Sequence, residues 1–116
     1  MNKLIIAGSR TITDKEKIKK YLSELCRNIH IDCVISGMAN GPDLSGLEWA
    51  KENDIQVIEC PAEWDRYGKH AGYLRNEEMA KMGTYCIVFY DGKSKGSKHM
   101  IKLAKRYGLI LKVILM

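Results

Sequence analysis

The chain has 116 residues, of which 46% are hydrophobic and 28% charged, and its formal net charge is +5. This length and composition predict one globular domain over residues 1–116 and exclude two compact domains or a disordered chain. No apolar run reaches the roughly 18 residues of a membrane-spanning helix and no signal peptide is recognisable, so we expect a cytoplasmic protein without a membrane partner.

The beginning of the chain alternates short apolar runs with a segment of helical period. Strands are expected at Lys3–Ala7 and Cys33–Ser36. Asp14, between them, can cap a helix. The apolar positions of that helix recur at steps of three and four residues, at Ile18, Leu22, Leu25 and Ile29.

A second helix is expected to begin at the sequence Gly41-Pro42-Asp43, because proline favours the first helical position. The helix would extend to Asn53 and be followed by the strand Ile55–Cys60. The apolar residues expected on its inner face are Leu44, Leu47 and Ala50.

A long irregular stretch, from Pro61 to Gly72, separates this half from the next. Long loops inside compact domains usually carry function. The elements expected after it are a helix through Leu74 and Met79, the strand Tyr85–Tyr90, a helix from about Ser97 to Tyr107 and the strand Leu109–Leu115. The residues expected to be buried on the last helix are Ile101, Ala104 and Tyr107 or Gly108.

Strands that alternate with single helices must be parallel and joined by right-handed crossovers. The predicted fold class is therefore α/β, a three-layer α/β/α sandwich with a five-stranded, mainly parallel sheet. Ligands bind such folds outside the carboxyl ends of the strands. The loops after the first, second and fourth strands are thus the candidate site.

The four cysteines, Cys26, Cys33, Cys60 and Cys86, form no C-x-x-C pair and have no histidine at ligand spacing. This spacing argues against a zinc site, and we expect reduced, buried thiols and no bound metal.

Positive charge is concentrated at the end of the chain. From Gly92 onward there are seven Lys or Arg residues and no Asp or Glu. An anionic partner such as phosphate, a nucleotide or nucleic acid would suit this segment, although a solvated basic helix explains the pattern equally well.

The three candidate loops share glycines, hydroxyl groups and cations. Glycine lets the backbone approach a ligand, arginine suits phosphate, and the second and third loops open onto helix N-termini that favour anions. The candidate ligand-binding residues in these loops are Gly8, Ser9, Arg10, Ser36, Gly37, Met38, Ala39, Gly41, Asp43, Asp91, Gly92, Gly96, Ser97 and Lys98. The spacing matches neither G-x-x-x-x-G-K-[ST] nor G-x-G-x-x-G, which disfavours an ATPase or a dinucleotide enzyme, and no cofactor is expected.

Asp43 has two interpretations at this point. It either stabilises the first turn of its helix or accepts hydrogen bonds from ribose hydroxyls of a bound nucleotide.

The segment between the second and third loops contains aromatic rings and cations that suit a stacked base and its phosphates. They are Trp64, Tyr67, Lys69, His70 and Tyr73. Loop packing is the alternative for Trp64 and Tyr67, and simple solvation is the alternative for His70. Tyr67 and Lys69, with Arg75 and Asn76 at the start of the next helix, complete the candidate ligand-binding set.

Across nearly its whole length the chain resembles the SLOG superfamily, which includes DNA-processing protein A and the Lonely Guy phosphoribohydrolases, and within it the YspA-like group. The matching motifs are Gly8-Ser9-Arg10, Ser36-Gly37-x-Ala39-x-Gly41-x-Asp43, Pro61-Ala62-x-Trp64 with Tyr67-Gly68-Lys69, Arg75-Asn76, and Asp91-Gly92-Lys93-Ser94-x-Gly96 with Lys98-His99-Met100. The resemblance implies a Rossmann-like fold that binds a nucleotide or a nucleotide-derived ligand, often as a homodimer or higher homo-oligomer.

The resemblance to the phosphoribohydrolases is incomplete. Their catalytic arginine, followed by Met-Ala, is matched by Arg75 and Met79-Ala80. The position of their catalytic glutamate is occupied here by Met100, which cannot handle a proton. Met38 stands where many relatives have glycine.

Three functions follow from these observations. The favoured one is a binding module that holds a nucleotide or a signalling nucleotide, such as an ADP-ribose-like or cyclic molecule, as a sensor or sequestering protein. The alternative is an N-glycosidase acting on nucleoside 5′-monophosphates, with Arg75 and Asp43 as its catalytic residues. Single-stranded nucleic-acid binding ranks third. On the first hypothesis, Arg75→Ala and Gly37→Asp would each abolish nucleotide binding with the fold intact.

Overall fold

The computed structural model describes all residues from 1 to 116 and is built around one parallel sheet. Its strands are β1 (Lys3–Gly8), β2 (Cys33–Ser36), β3 (Gln56–Glu59), β4 (Tyr85–Tyr90) and β5 (Ile110–Leu115). They lie in the order β3-β2-β1-β4-β5, and every neighbouring pair is parallel. The predicted α/β fold class is confirmed. The strand order places β1 in the middle of the sheet, between β2 and β4.

Helices cover both faces of the sheet. They are α1 (Lys15–Leu25), α2 (Pro42–Glu52), α3 (Trp64–Tyr67), α4 (Ala71–Met82) and α5 (Lys95–Arg106), with a 3₁₀ turn at Gly68–His70. The core residues of α1 and α2 pack on one face, and those of α4 and α5 pack on the other. No helix combines the length and the apolar character needed to cross a membrane.

The alternation of side chains along β1 divides the core into two halves. Leu4 and Ile6 belong to the cluster of α1 and α2, whereas Ile5 and Ala7 belong to the cluster of α4 and α5. All four are buried, because a central parallel strand is covered on both faces.

The beginnings of two helices are fixed by side-chain caps. The Asp14 carboxylate accepts a hydrogen bond of 3.2 Å from the Lys17 amide, as the sequence predicted for α1. The Ser94 hydroxyl accepts one of 3.3 Å from the Ser97 amide at the start of α5. Each cap satisfies an amide that has no partner inside its helix.

The predicted inner face of α2 was partly wrong, since only Ala50 of the three predicted residues is buried. Leu44 is exposed and Leu47 half-buried, whereas Gly46, Trp49 and Ala50 face the sheet. The helix is rotated this way because Gly46 lies directly on Ile6, where a Cβ would come within 2.5 Å of the Ile6 Cγ2. The rotation also buries the large Trp49 ring, whose Nε1 donates to the Ser23 hydroxyl at 3.0 Å.

The predicted inner face of the last helix was also partly wrong. Met100, Leu103 and Ala104 are buried, Ile101 is half-buried, and Tyr107 is exposed. Tyr107 lies at the end of α5, where its hydroxyl donates to Glu77 at 3.2 Å instead of entering the core.

The segment from Pro61 to Gly72 is more ordered than predicted. It contains α3 and the 3₁₀ turn, and α4 already begins at Ala71. Arg75 therefore lies one turn inside α4 and not at its beginning.

We predict that Gly46→Ala lowers the free energy of unfolding by about 1–3 kcal/mol, the usual cost of overpacking a core. Gly96→Ala in α5 is the matched control, because a Cβ there meets nothing within 4 Å. The control should leave stability unchanged or raise it by up to ~1 kcal/mol, since alanine favours helix more than glycine does. Urea denaturation measures both, and equal stabilities for the two variants would contradict the packing of α2 on β1.

Candidate functional site

A cleft of about 660 Å³ lies at the carboxyl ends of β1 and β4. The chain leaves β1 toward β2 on one side and leaves β4 toward β5 on the other. The loops therefore diverge and leave a crevice, which is where ligands bind in open α/β sheets.

Ten of the predicted ligand-binding residues line this cleft. They are Gly8, Arg10, Ala39, Asp43, Lys69, Arg75, Asn76, Asp91, Gly96 and Ser97. The fold thus brings residues from all three predicted loops, and from the segment before and within α4, to one place.

Eight further residues line the cleft that were not in the predicted set. They are Ala7, Thr11, Trp64, Gly72, Tyr73, Lys93, Ser94 and Met100. Thr11, Lys93 and Ser94 directly adjoin predicted residues, so their loops already signalled them. Trp64 and Tyr73 were named in the sequence as rings that suit a stacked base, although they were not placed in the candidate ligand-binding set.

Ser9 supports the cleft from behind. It is buried, and its hydroxyl oxygen lies 3.2 Å from that of Ser97 and accepts a hydrogen bond of 3.1 Å from the Asp91 amide. Ser9 therefore ties the ends of β1 and β4 to the start of α5. A hydroxyl with two internal partners acts here as a brace between loops.

Asp91 holds the third loop in shape. Its Oδ1 accepts hydrogen bonds of 2.8 Å from the amides of Lys93 and Ser94, and its Oδ2 accepts one of 2.8 Å from the Thr11 hydroxyl. The backbone hydrogen bonds from Lys93 and Ser94, followed by that from Thr11, lower the pKa of Asp91 to about 2. Asp91 therefore remains an anion that is engaged with its own loop.

The second loop makes a sharp turn that uses backbone conformations rare for most residues. Met38 and Gly41 both have positive φ angles, of 63° and 86°. The buried Ser36 hydroxyl accepts from the Met38 amide at 3.1 Å and donates to the Asp43 carbonyl at 3.2 Å. A left-handed conformation at Met38 explains why glycine suits this position.

Asp43 and Arg75 both line the cleft and both approach Gly37, which lies in the turn behind it. A Cβ at Gly37 would lie 2.7 Å from Arg75 Nη1 and 2.7 Å from Asp43 Oδ2. Arg75 Nη1 donates to the Gly37 carbonyl, and its Nε donates to Asn76 Oδ1 at 3.0 Å. Glycine is required at position 37 because the guanidinium and the carboxylate both approach its backbone.

The pKa of Asp43 is raised from 3.8 to about 6. Burial of the carboxyl group is the main cause, because only 4% of the residue is exposed. The positive charge of Arg75 and a hydrogen bond of 3.4 Å from the Ala39 amide oppose the shift.

The carboxylate of Asp43 folds back toward the loop that was expected to hold a phosphate and accepts a hydrogen bond of 3.4 Å from the Ala39 amide. The start of α2 has no side-chain cap hydrogen bond, so Asp43 does not cap the first turn of its helix. A role toward ribose hydroxyls stays a prediction. Gly37→Asp would displace Arg75 by steric overlap and would not simply place a carboxylate at a phosphate site.

Asn76 connects α4 with α5. It is buried, and its Nδ2 lies 3.3 Å from the Gly96 carbonyl and 3.3 Å from His99 Nδ1. His99 is in edge contact with Tyr73, with ring centroids 4.6 Å apart. Asn76 therefore fixes the start of α5 against the aromatic side of the cleft.

The remaining candidates lie outside the cleft lining. Ser36, Gly37, Met38 and Gly41 form the turn behind it, and Ser9 braces it. Tyr67 lies against the Arg66 guanidinium at 5.0 Å, and Gly92 and Lys98 are exposed to solvent.

The cleft has an excess of positive charge. Arg10, Lys69, Arg75 and Lys93 face two carboxylates, Asp43 and Asp91. Met100, at the position where the phosphoribohydrolases have glutamate, is buried against the cleft and offers no ionisable group. Glu48 of α2 does not line the cleft and pairs with Lys15 at 3.3 Å and Lys19 at 2.9 Å.

The four cysteines are all free. Burial raises the pKa of Cys26 to about 11 and that of Cys86 to about 12, which makes both thiols poor nucleophiles.

Comparison with known proteins identifies relatives of the chain. Residues 2–67 match the profile of the YspA, cpYpsA-related SLOG family. The Gene 61 protein of Mycobacterium phage D29 is 33% identical over 116 positions, which cover 94% of this chain and 93% of the phage protein. No solved structure gives a significant match.

We predict that deprotonation of Asp43 lowers the free energy of unfolding as the pH rises from 3.8, the ordinary pKa of the group, to about 6, its pKa in the folded protein. Because the folded state holds the proton more tightly than the unfolded state, this contribution is most favourable below pH 3.8 and is lost above pH 6. The difference in unfolding free energy between the wild type and Asp43→Asn isolates the contribution of Asp43, because all other carboxylates are the same in the two proteins. The difference should change by on the order of 2–3 kcal/mol across the interval and be flat above it. A difference independent of pH would contradict the burial of the ionisable group.

Proposed function

The chain belongs to the YspA, cpYpsA-related SLOG family, and from this premise we propose that its cleft binds a nucleotide or a nucleotide-derived signalling ligand as a sensor or sequestering protein. Membership of the family indicates nucleotide-related ligand binding or processing. The cyclic or ADP-ribose-like nature of the ligand is part of the proposal.

The observation that carries the proposal is the positive charge of the cleft between the ends of β1 and β4, where the chain leaves the two strands in opposite directions. Arg10, Lys69 and Lys93 reach it from three separate segments, and none of the three forms an ion pair within the protein. Cations without an internal partner, converging on one concave site, favour a phosphorylated ligand.

The start of α5 supports the same conclusion. The amides of Lys95 and Gly96 have no acceptor inside the protein, as is usual at the first turn of a helix. Gly96 lines the cleft and has space beside it, so a phosphate oxygen can approach this backbone. This helix start therefore supports the proposal more strongly than that of α2, where the preceding loop already bonds the carboxylate of Asp43 through the Ala39 amide.

We expect Lys93→Ala to weaken binding of AMP, ADP-ribose or cyclic AMP by about 10- to 100-fold, because it removes a charge-assisted contact. Lys102→Ala is the matched control, since Lys102 is an exposed lysine of α5 that does not line the cleft. Isothermal titration calorimetry measures both variants. The site assignment fails if both lysines have the same effect, and the proposed function fails if the wild type binds none of these nucleotides.

Arg75→Ala should abolish the same binding, but it should also destabilise the fold above pH 6. The substitution leaves the buried Asp43 without its counter-charge, which is costly in a buried environment. The double variant Asp43→Asn, Arg75→Ala removes both charges and should regain stability without regaining affinity. Thermal unfolding and calorimetry together separate these effects, and a double variant that binds as the wild type does would remove Arg75 from the site.

Asp43 provides the observation that favours a second candidate, an N-glycosidase. It lines the cleft beside Arg75 and has a pKa of about 6, so it can exchange a proton near neutral pH. A hydrolase would release adenine from AMP in a reaction that Asp43→Asn abolishes. Chromatography of AMP incubated with the purified protein tests this, and an absence of free adenine at high enzyme concentration would exclude the candidate for that substrate.

A further inference from the structure

One aromatic side chain of the cleft is not explained by the packing of the fold. The chain has two tryptophans. Trp49 is buried in the core, whereas Trp64 is 50% exposed on the single turn of α3. Its Nε1 makes no hydrogen bond within the protein, so neither core packing nor a polar contact accounts for this large ring.

The backbone beneath Trp64 accommodates the ring closely. A Cβ at Gly72 would lie 3.3 Å from Cη2 of the indole and 4.0 Å from Arg75 Nη2. The absence of a side chain at Gly72 therefore lets the indole lie against the first turn of α4, on the same side as the guanidinium. The ring rests against this contact, and Trp64, which lines the cleft, remains 50% exposed.

Tyr73 adds a second aromatic ring, besides that of Trp64, to the lining of the cleft. It follows Gly72 on α4, lines the cleft and is 43% exposed. Its ring is held at 83° to that of His99, and Asn76 in turn contacts His99. Two partly exposed aromatic rings, each held by a neighbour, thus line the same cleft as the cations Arg10 and Lys93.

We propose that Trp64 and Tyr73 form a subsite that binds the base of the nucleotide by aromatic contact, with Trp64 as the main stacking surface. The inference rests on the proposed function and assigns the opposite end of the ligand, its phosphate, to the cations and the start of α5. A flat heterocycle of either purine or pyrimidine type gains from stacking, because every base has a π-face. The subsite selects a ligand with a base over a plain sugar phosphate.

Two probes that differ only in the base test the inference. AMP and ribose 5-phosphate carry the same phosphorylated ribose, and calorimetric titration of the wild type should show AMP binding at least about 10-fold more tightly, the usual scale of one stacked base. Trp64→Ala should reduce AMP affinity by about 10-fold or more and leave the affinity for ribose 5-phosphate unchanged. Trp64→Phe should restore part of the preference, because phenylalanine keeps an aromatic face.

Tyr107→Ala is the matched aromatic control. Tyr107 is 38% exposed at the far end of α5 from the residues that line the cleft, and it should not affect either probe. In the Trp49→Phe background Trp64 is the sole indole, and AMP should quench its fluorescence whereas ribose 5-phosphate should not. Circular dichroism verifies that each variant is folded.

The possible results separate the inference from the proposed function. If the wild type binds both probes with equal affinity, or if Trp64→Ala binds AMP as tightly as the wild type, the aromatic subsite is refuted and the phosphate-binding cleft stands. If the wild type binds neither probe, the aromatic subsite is refuted, and if it also binds neither ADP-ribose nor cyclic AMP, the proposed function is overturned with it. A loss of ribose 5-phosphate affinity in Trp64→Ala equal to the loss for AMP refutes a base-specific role and assigns Trp64 to the shape of the cleft.

Discussion

Asp43 and Arg75 both approach Gly37, and much of the cleft depends on this arrangement, in which a Cβ at Gly37 would lie 2.7 Å from a charged atom of each residue. A carboxylate that is 4% exposed is stable as an anion only with a compensating charge and hydrogen-bond donors. Arg75 supplies the charge, and its bond to the Gly37 carbonyl joins α4 to the loop after β2. The hydrogen bond from Arg75 to Gly37 therefore ties α4, on one face of the sheet, to the loop that leads into α2, on the other face.

The two glycine-rich helix starts consequently do different work, although their sequences look alike. The carboxylate of Asp43 accepts a hydrogen bond from the Ala39 amide in the loop before α2 and makes no cap on that helix. The carboxylate of Asp91 accepts from Thr11 and from the amides of Lys93 and Ser94, which precede the first turn of α5. The amides of Lys95 and Gly96 are left without an acceptor inside the protein, and this is the reason why we propose that a phosphate binds there, beside Lys93.

The sequence was sufficient to predict the order of the elements, the parallel sheet and the edge at which the loops meet, because these follow from hydrophobic period and chain connectivity. It was insufficient for the rotation of α2, since Leu44 and Leu47 match a helical period as well as Gly46 and Trp49 do. The close contact of Gly46 with Ile6 decides between them, and such contacts exist only in three dimensions. The interaction of Asp43 with Ala39 was hidden for the same reason, because a first-turn aspartate has the same sequence whether it points outward or folds back.

The proposed base subsite of Trp64 and Tyr73 shows how one site can combine residues from segments that the sequence describes very differently. Lys93 and Gly96 belong to a segment whose composition already indicates an anion, but Trp64 lies in a segment predicted to be irregular. What joins them is the early start of α4 at Ala71, which brings Gly72 beneath the indole and Arg75 to the cleft floor within one turn. A helix that began only after Gly72, as the sequence suggested, would leave Trp64 without the flat surface that orients it. The position of a single helix start thus couples the proposed base subsite to the charged centre of the cleft.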